Sequence, residues 1–154
     1  MSNPVAFLNG EYVPLHEAKV GIMTHALHYG TGAFEGIRGN WNSKDKKIYI
    51  YKLREHYERL LSGCKMLWID LPYSVQDLCD ITVEVVERSG FTEVLYIRPV
   101  AYKSEEKVAN LNLKALADGF FWFSGQHIGA HKISRKYFHN GIRLSQNEIT
   151  NHHK

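Results

Sequence analysis

Apolar and polar residues in this chain switch between a period of two and a helical period, and each switch marks an element. Residues 5–15 predict a hairpin. Val5-Ala6-Phe7-Leu8 and Glu11-Tyr12-Val13-Pro14 flank Asn9-Gly10, the pair that best tolerates positive φ in a two-residue turn. Thr24 is placed to cap a short helix carrying His25, Leu27 and His28, followed by the glycine-rich Tyr29-Gly30-Thr31-Gly32. A second hairpin pairs residues 36–41 with 47–52 through the polar loop 42–46. In its second strand Ile48 and Ile50 alternate with Tyr49 and Tyr51, a pattern that lets both faces be covered.

Two helices follow. Leu53, Tyr57, Leu60, Leu61, Cys64 and Leu67 fall on one stripe, which Gly63 weakens without ending. Pro72 marks a break. Ser74, with Asp77 three residues on, caps a second helix whose stripe is Val75, Leu78, Cys79, Thr82, Val85 and Val86, and Gly90 stops it. Residues 93–101 and 119–123 read as buried strands joined by a polar loop. Hairpins set apart from two main helices predict an α+β fold with a mostly antiparallel sheet. No internal repeat or low-complexity tract interrupts it.

Composition narrows the class. The 154 residues are 44% apolar, enough for one compact core, and no apolar run is long enough to span a membrane. The start of the chain lacks the basic flank and long apolar stretch of a secretory signal. Cys64 and Cys79 lie within apolar helical patterns, which favours buried free thiols over a disulfide and predicts a reducing, cytoplasmic setting. Past Phe123 lie five of the 19 basic residues, one of the 16 acidic ones and five of the nine histidines. The predicted organisation is therefore one domain over residues 1–123 and a divergent basic, His-rich tail over 124–154. That tail has no aromatic stacking platform, so nucleic-acid binding is not expected.

Three stretches hold more glycine and polar residues than packing requires. In Ala26-Leu27-His28-Tyr29-Gly30-Thr31-Gly32-Ala33-Phe34-Glu35-Gly36-Ile37-Arg38, three glycines in seven positions cost backbone entropy. The stretch is either a connecting loop or a place where backbone approaches a ligand. Arg54 stands where a strand gives way to a helix start, so it is either a phosphate clamp beside free helix N–H groups or a surface arginine paired with a glutamate. Arg98 lies in a strand that otherwise reads as buried, a costly place unless it meets an anion. Tyr96 and Arg98 alternate onto one face and could hold a carboxylate together, and an edge strand with one wet face explains them as well. No phosphate-binding loop, dinucleotide fingerprint or zinc spacing is present, and no metal site is expected.

Taken in order, His28-Tyr29-Gly30-Thr31-Gly32, Phe34-Glu35-Gly36-Ile37-Arg38, Arg54-Glu55-His56 with Arg59-Leu60, and Tyr96-Ile97-Arg98-Pro99 resemble the small N-terminal domain of the class IV (fold-type IV) aminotransferases, most closely the branched-chain amino-acid kind. The likeness runs from about Phe7 to Phe123. It implies pyridoxal 5′-phosphate as cofactor, with Arg54 on its phosphate. It implies Tyr96 and Arg98 on the substrate carboxylate, Phe34 lining the pocket for an aliphatic side chain, and Tyr29 reaching the site of a partner subunit. Arg38 would support the site or the interface. The implied reaction moves nitrogen from leucine, isoleucine or valine to 2-oxoglutarate, giving glutamate, in a homo-oligomer.

After Phe123 the likeness fades. Gly141-Ile142-Arg143-Leu144 could stand where the family has a strand, and residues 145–154 lose the match. Lys154 falls early for the family's cofactor-bound lysine and lacks its neighbours, so the chain is expected to lack that catalytic lysine and the second domain, to be inactive alone, and to be loosely ordered over its last ten residues. A D-amino-acid transaminase or an aminodeoxychorismate lyase shares the scaffold. A non-catalytic dimerisation or interaction domain is the alternative of another class.

Overall fold

The computed structural model describes residues 4–126. Seven strands form one sheet: β1 (Val5–Leu8), β2 (Glu11–Pro14), β3 (Gly32–Phe34), β4 (Ile37–Asn42), β5 (Lys47–Ile50), β6 (Leu95–Lys103) and β7 (Asp118–Gln126). Two long helices, α2 (Leu53–Met66) and α3 (Val75–Ser89), follow the short α1 (His25–Tyr29). All pairings are antiparallel, in the order β2-β1-β7-β6-β4-β5. The α+β expectation is met.

Local physics places most elements where the pattern puts them. Asn9 and Gly10 both take positive φ, and the first hairpin closes with Leu8 opposite Glu11. Ser74 Oγ accepts the Asp77 N–H while the Asp77 carboxylate accepts the Ser74 N–H, a complete capping box. Gly90 ends α3 in the left-handed region. Thr24 does occupy the position before α1, but its side chain makes no cap bond.

Four expectations are corrected. The stretch after α1 is not only a loop: residues 32–34 form β3, which pairs with the far half of β6, Phe34 opposite Val100. Glu35 and Gly36 then break the strand, and β4 resumes on the near half, Ile37 opposite Ile97. Tyr49 and Tyr51 are exposed, so among the described residues one face of β5 stays open. β6 is not buried on both faces. Leu95, Ile97 and Ala101 are buried while Tyr96, Arg98 and Val100 are half-open. β7 also runs to Gln126, past the expected end at residue 123.

The register explains this asymmetry. Residues opposite one another share a face. Ile37, Leu95, Ile97, Ala101, Phe120 and Trp122 therefore turn toward α2 and α3, and with Tyr57, Leu60, Leu78 and Val85 they make the core. Burying such side chains stabilises the domain by about 1.5–3 kcal/mol each. A polar chain runs through the core. Trp122 Nε1 donates to Tyr57 Oη (3.0 Å), which meets Thr82 Oγ1 (2.5 Å), and Thr82 donates to the Leu78 carbonyl (2.9 Å). Since the one Thr82 proton goes to Leu78, Tyr57 must be the donor to Thr82. Burial pushes the Tyr57 phenol pKa well up, so that proton stays in place. The chain pins α2, α3 and β7 to one another. Cys64 and Cys79 are free thiols, and burial raises the Cys64 pKa to about 11.

Candidate functional site

The sheet face turned away from α2 and α3 carries most of the residues singled out by sequence. Arg38 stands opposite Tyr96, and Arg98 lies two residues further along β6 on the same face. Phe34 arrives from β3, one residue pair beyond Arg98 on that face, because β3 and β4 share the edge of β6. The Arg98 guanidinium carbon lies 4.2 Å from the Phe34 ring centre and 5.0 Å from that of Tyr96, and its Nη2 donates to the Tyr96 hydroxyl. The guanidinium thus lies against both rings, and among the described residues no carboxylate pairs with it. Arg98 is not an arginine sunk in the core; it lies half-buried on the open face of a central strand.

Gly36 makes room for this group. A Cβ at that position would come 3.0 Å from the Tyr96 hydroxyl. Phe34, 63% exposed, also borders an apolar groove of about 280 Å³ with Val20, Leu27, Val100, Tyr102 and Phe121. A half-open cation packed on Phe34, which itself borders this apolar groove, suits a carboxylate with an aliphatic tail.

Arg54 belongs to the helical layer, and the described contacts do not join it to Arg98. It lies exposed in the first turn of α2, where no side chain caps the helix. Its partner is an amide, not the glutamate of the surface-pair alternative: Nη2 donates to Gln76 Oε1 at 2.8 Å. Among the described residues one of its five guanidinium N–H groups is used, no carboxylate neutralises the charge, and no side chain caps the helix start beside it. That donor set fits a phosphate. Arg38 is joined through its backbone to both neighbourhoods. It faces Tyr96 across the sheet, and its carbonyl accepts the N–H of Tyr51, in the turn that leads to α2.

Tyr29 ends α1 with its ring 4.4 Å from that of His25, and its hydroxyl accepts the Ala109 N–H at 2.7 Å. Buried His25 meets Thr31 Oγ1 and the Asn110 carbonyl, each at 2.9 Å. A carbonyl only accepts, so Nε2 carries a proton. Lys154 lies outside the described residues, as does the whole basic tail past residue 126.

Two clusters have no counterpart in the sequence reading. Glu35, at the β3–β4 break, accepts from Arg59 Nε (2.6 Å) and Nη2 (2.5 Å) and meets His56 Nδ1 (2.9 Å). The Arg59 hydrogen bonds first, then His56, hold its carboxyl below the usual range against the opposing effect of burial. This clamp fixes the strand break, and with it Phe34 and Gly36, to α2. The signal was present, since Glu35, His56 and Arg59 all lie in the quoted motifs, but nothing in their spacing pairs them. Lys103 is fully buried. Its Nζ reaches the Trp68 carbonyl at 2.5 Å and Asp118 Oδ1 at 2.7 Å, the latter an ion pair rather than an aligned hydrogen bond. Asp118 Oδ2 accepts the Asp70 N–H, so the cluster locks the α2–α3 connection to the sheet.

Comparisons with known proteins agree with this architecture. The family model for amino-transferase class IV matches residues 32–128. A probable branched-chain-amino-acid aminotransferase of Aquifex aeolicus is 47% identical over 103 residues, covering 67% of this chain and 33% of the relative. The branched-chain aminotransferase of Thermoproteus uzoniensis, solved with norvaline, superposes with a TM-score of 0.74 at 39% identity, over 79% of this chain and 40% of that one. The T.th. branched-chain amino acid aminotransferase complexed with N-(5′-phosphopyridoxyl)-L-glutamate gives a TM-score of 0.69 at 32% identity, over 82% of this chain and 41% of that one. The chain thus spans between a third and about two fifths of the length of these proteins.

Proposed function

Since this chain belongs to the class IV amino-transferases, we propose that it is the substrate-facing part of a branched-chain amino-acid transaminase. Its fold is that of the small N-terminal domain of the fold-type IV enzymes. The observation that carries the reading is Arg98, held between Phe34 and Tyr96 with no carboxylate among the described residues to neutralise it, beside an apolar groove.

Arg98 receives the α-carboxylate through its planar donor fork, and the Tyr96 hydroxyl supports the guanidinium. The groove beyond Phe34 takes the aliphatic side chain, where one methylene is worth only about 1–3 kcal/mol, so leucine, isoleucine and valine are all admitted. When 2-oxoglutarate is the acceptor, the same arginine holds one of its two carboxylates. Arg54 holds the phosphate of pyridoxal 5′-phosphate, and Arg38 braces the sheet between the two arginines. When bound, that cofactor supplies the electron sink that loosens the substrate α-hydrogen. Tyr29, at the exposed end of α1, serves the site of a second subunit. The solved T.th. relative carrying a phosphopyridoxyl-glutamate adduct supports both the cofactor and glutamate as co-substrate.

The test is a titration of the 154-residue chain with 4-methyl-2-oxopentanoate, followed by amide shifts. Saturable shifts along β6 and β3 are expected, weakened about tenfold or more in Arg98→Gln and partly restored in Arg98→Lys. Equal binding by wild type and Arg98→Gln would refute the assignment.

A further inference from the structure

We propose that Gln76 and Asp80 of α3 are positioning residues that present Arg54 to a phosphate. The proposal rests on the reading of Arg54 as the phosphate anchor and adds what orients it.

Arg54 projects from the first turn of α2 with no side-chain cap beside it and no carboxylate partner among the described residues. A long exposed arginine samples many rotamers, and fixing it costs conformational entropy. Gln76 Oε1 accepts one N–H at 2.8 Å and so removes part of that freedom before any ligand arrives. A primary amide can face either way, and only its oxygen serves Arg54. Asp80 settles the choice, since its Oδ1 accepts Gln76 Nε2 at 2.9 Å and a carboxylate can only accept. The two residues are four apart on α3, so they share a face of the helix. The amide itself is neutral. It orients the guanidinium without spending its charge, which a glutamate at the same position would do. Among the described residues, four N–H donors are left for the phosphate oxygens.

The experiment uses the 154-residue chain and a ligand pair without an aldehyde, pyridoxine 5′-phosphate and pyridoxine, so that surface lysines are not labelled. The readout is the ratio of the two dissociation constants, alongside the Arg54 side-chain N–H resonance. A merely structural change weakens both ligands and leaves the ratio alone. Wild type is expected to prefer the phosphorylated ligand, and Arg54→Gln to lose the preference. Gln76→Ala should lower the ratio about three- to tenfold, the span of one net hydrogen bond. Gln76→Glu, which preserves shape, should lower it further, with a loss that shrinks in high salt. Asp80→Ala should fall between wild type and Gln76→Ala. If Gln76→Ala and Gln76→Glu keep the wild-type ratio while Arg54→Gln loses it, Arg54 stands and the positioning role is overturned. If Arg54→Gln keeps the ratio, or wild type shows no preference, the phosphate reading of Arg54 fails and takes the positioning role with it.

Discussion

Replacing Glu35 with glutamine removes one charge from the clamp between the β3–β4 break and α2 while keeping its shape. The Glu35 side chain is 6% exposed and receives two bonds from Arg59 and one from His56. Hydrogen bonds to charged groups contribute about 1.5–3 kcal/mol, and neutral ones about half that. Arg59 is largely in water, its side chain 71% exposed, so screening takes part of the difference. The net expectation for Glu35→Gln is a loss of about 1–2 kcal/mol at neutral pH. In urea this lowers the midpoint by about 0.5–1 M, followed through the fluorescence of buried Trp122. The sign of the pH dependence follows from the depressed folded-state pKa of Glu35, set against an ordinary value of 4.5. Above that value the unfolded carboxyl is also ionised, and the full contribution is present. As pH falls below 4.5 the unfolded chain takes up the proton first, and the contribution is lost as pH passes through the lower folded value. The gap between wild type and Glu35→Gln should therefore be constant from about pH 7 to pH 5 and narrow toward pH 3. No gap at pH 7, or one that is undiminished at pH 3, would refute the clamp as a charge interaction.

Three further changes probe other parts of the argument. Tyr57→Phe strands the Trp122 indole N–H in the core and should cost about 1–3 kcal/mol in thermal or urea unfolding; a neutral result would mean that the polar chain through the core is dispensable. Gly36→Ala pushes a Cβ to 3.0 Å from the Tyr96 hydroxyl. Stability should change by under about 0.5 kcal/mol while oxo-acid affinity at Arg98 falls several-fold by titration. Lys103→Met leaves Asp118 without its cation and should cost about 2–4 kcal/mol, and Lys103→Met with Asp118→Leu should regain at least half, as read from thermal midpoints.

Part of the site was legible from residue order. Tyr96 and Arg98 are two apart in a strand, so a shared face follows from the pleat alone, and the structure adds that this face is open. Phe34 carries no such signal. It joins them only because β3 pairs with the far half of β6, and the family likeness, not the pattern, pointed to it. Arg54 was found at its helix start, but its partner is Gln76, 22 residues away, rather than a nearby glutamate. Glu35 pairs with residues 21 and 24 positions on, and Lys103 with one on the facing strand. A buried charge is tolerable or ruinous according to what stands opposite it, and spacing along the chain does not say what that is.

By itself, the sequence determined whatever a few neighbouring residues can decide. The Asn9-Gly10 turn, the capping box at Ser74, the left-handed stop at Gly90 and the stripes of α2 and α3 all follow from φ preferences, local hydrogen bonds and the helical period. Only the tertiary structure decided that β3 and β4 share one edge of β6, that the helices cover a single face, and that the other face gathers Arg38, Phe34, Tyr96 and Arg98. The physical reason is that a strand's backbone groups accept any neighbour of suitable register. The choice among neighbours is made by which arrangement buries Trp122, Ile97 and Leu78 together while leaving no charge in the core without a partner.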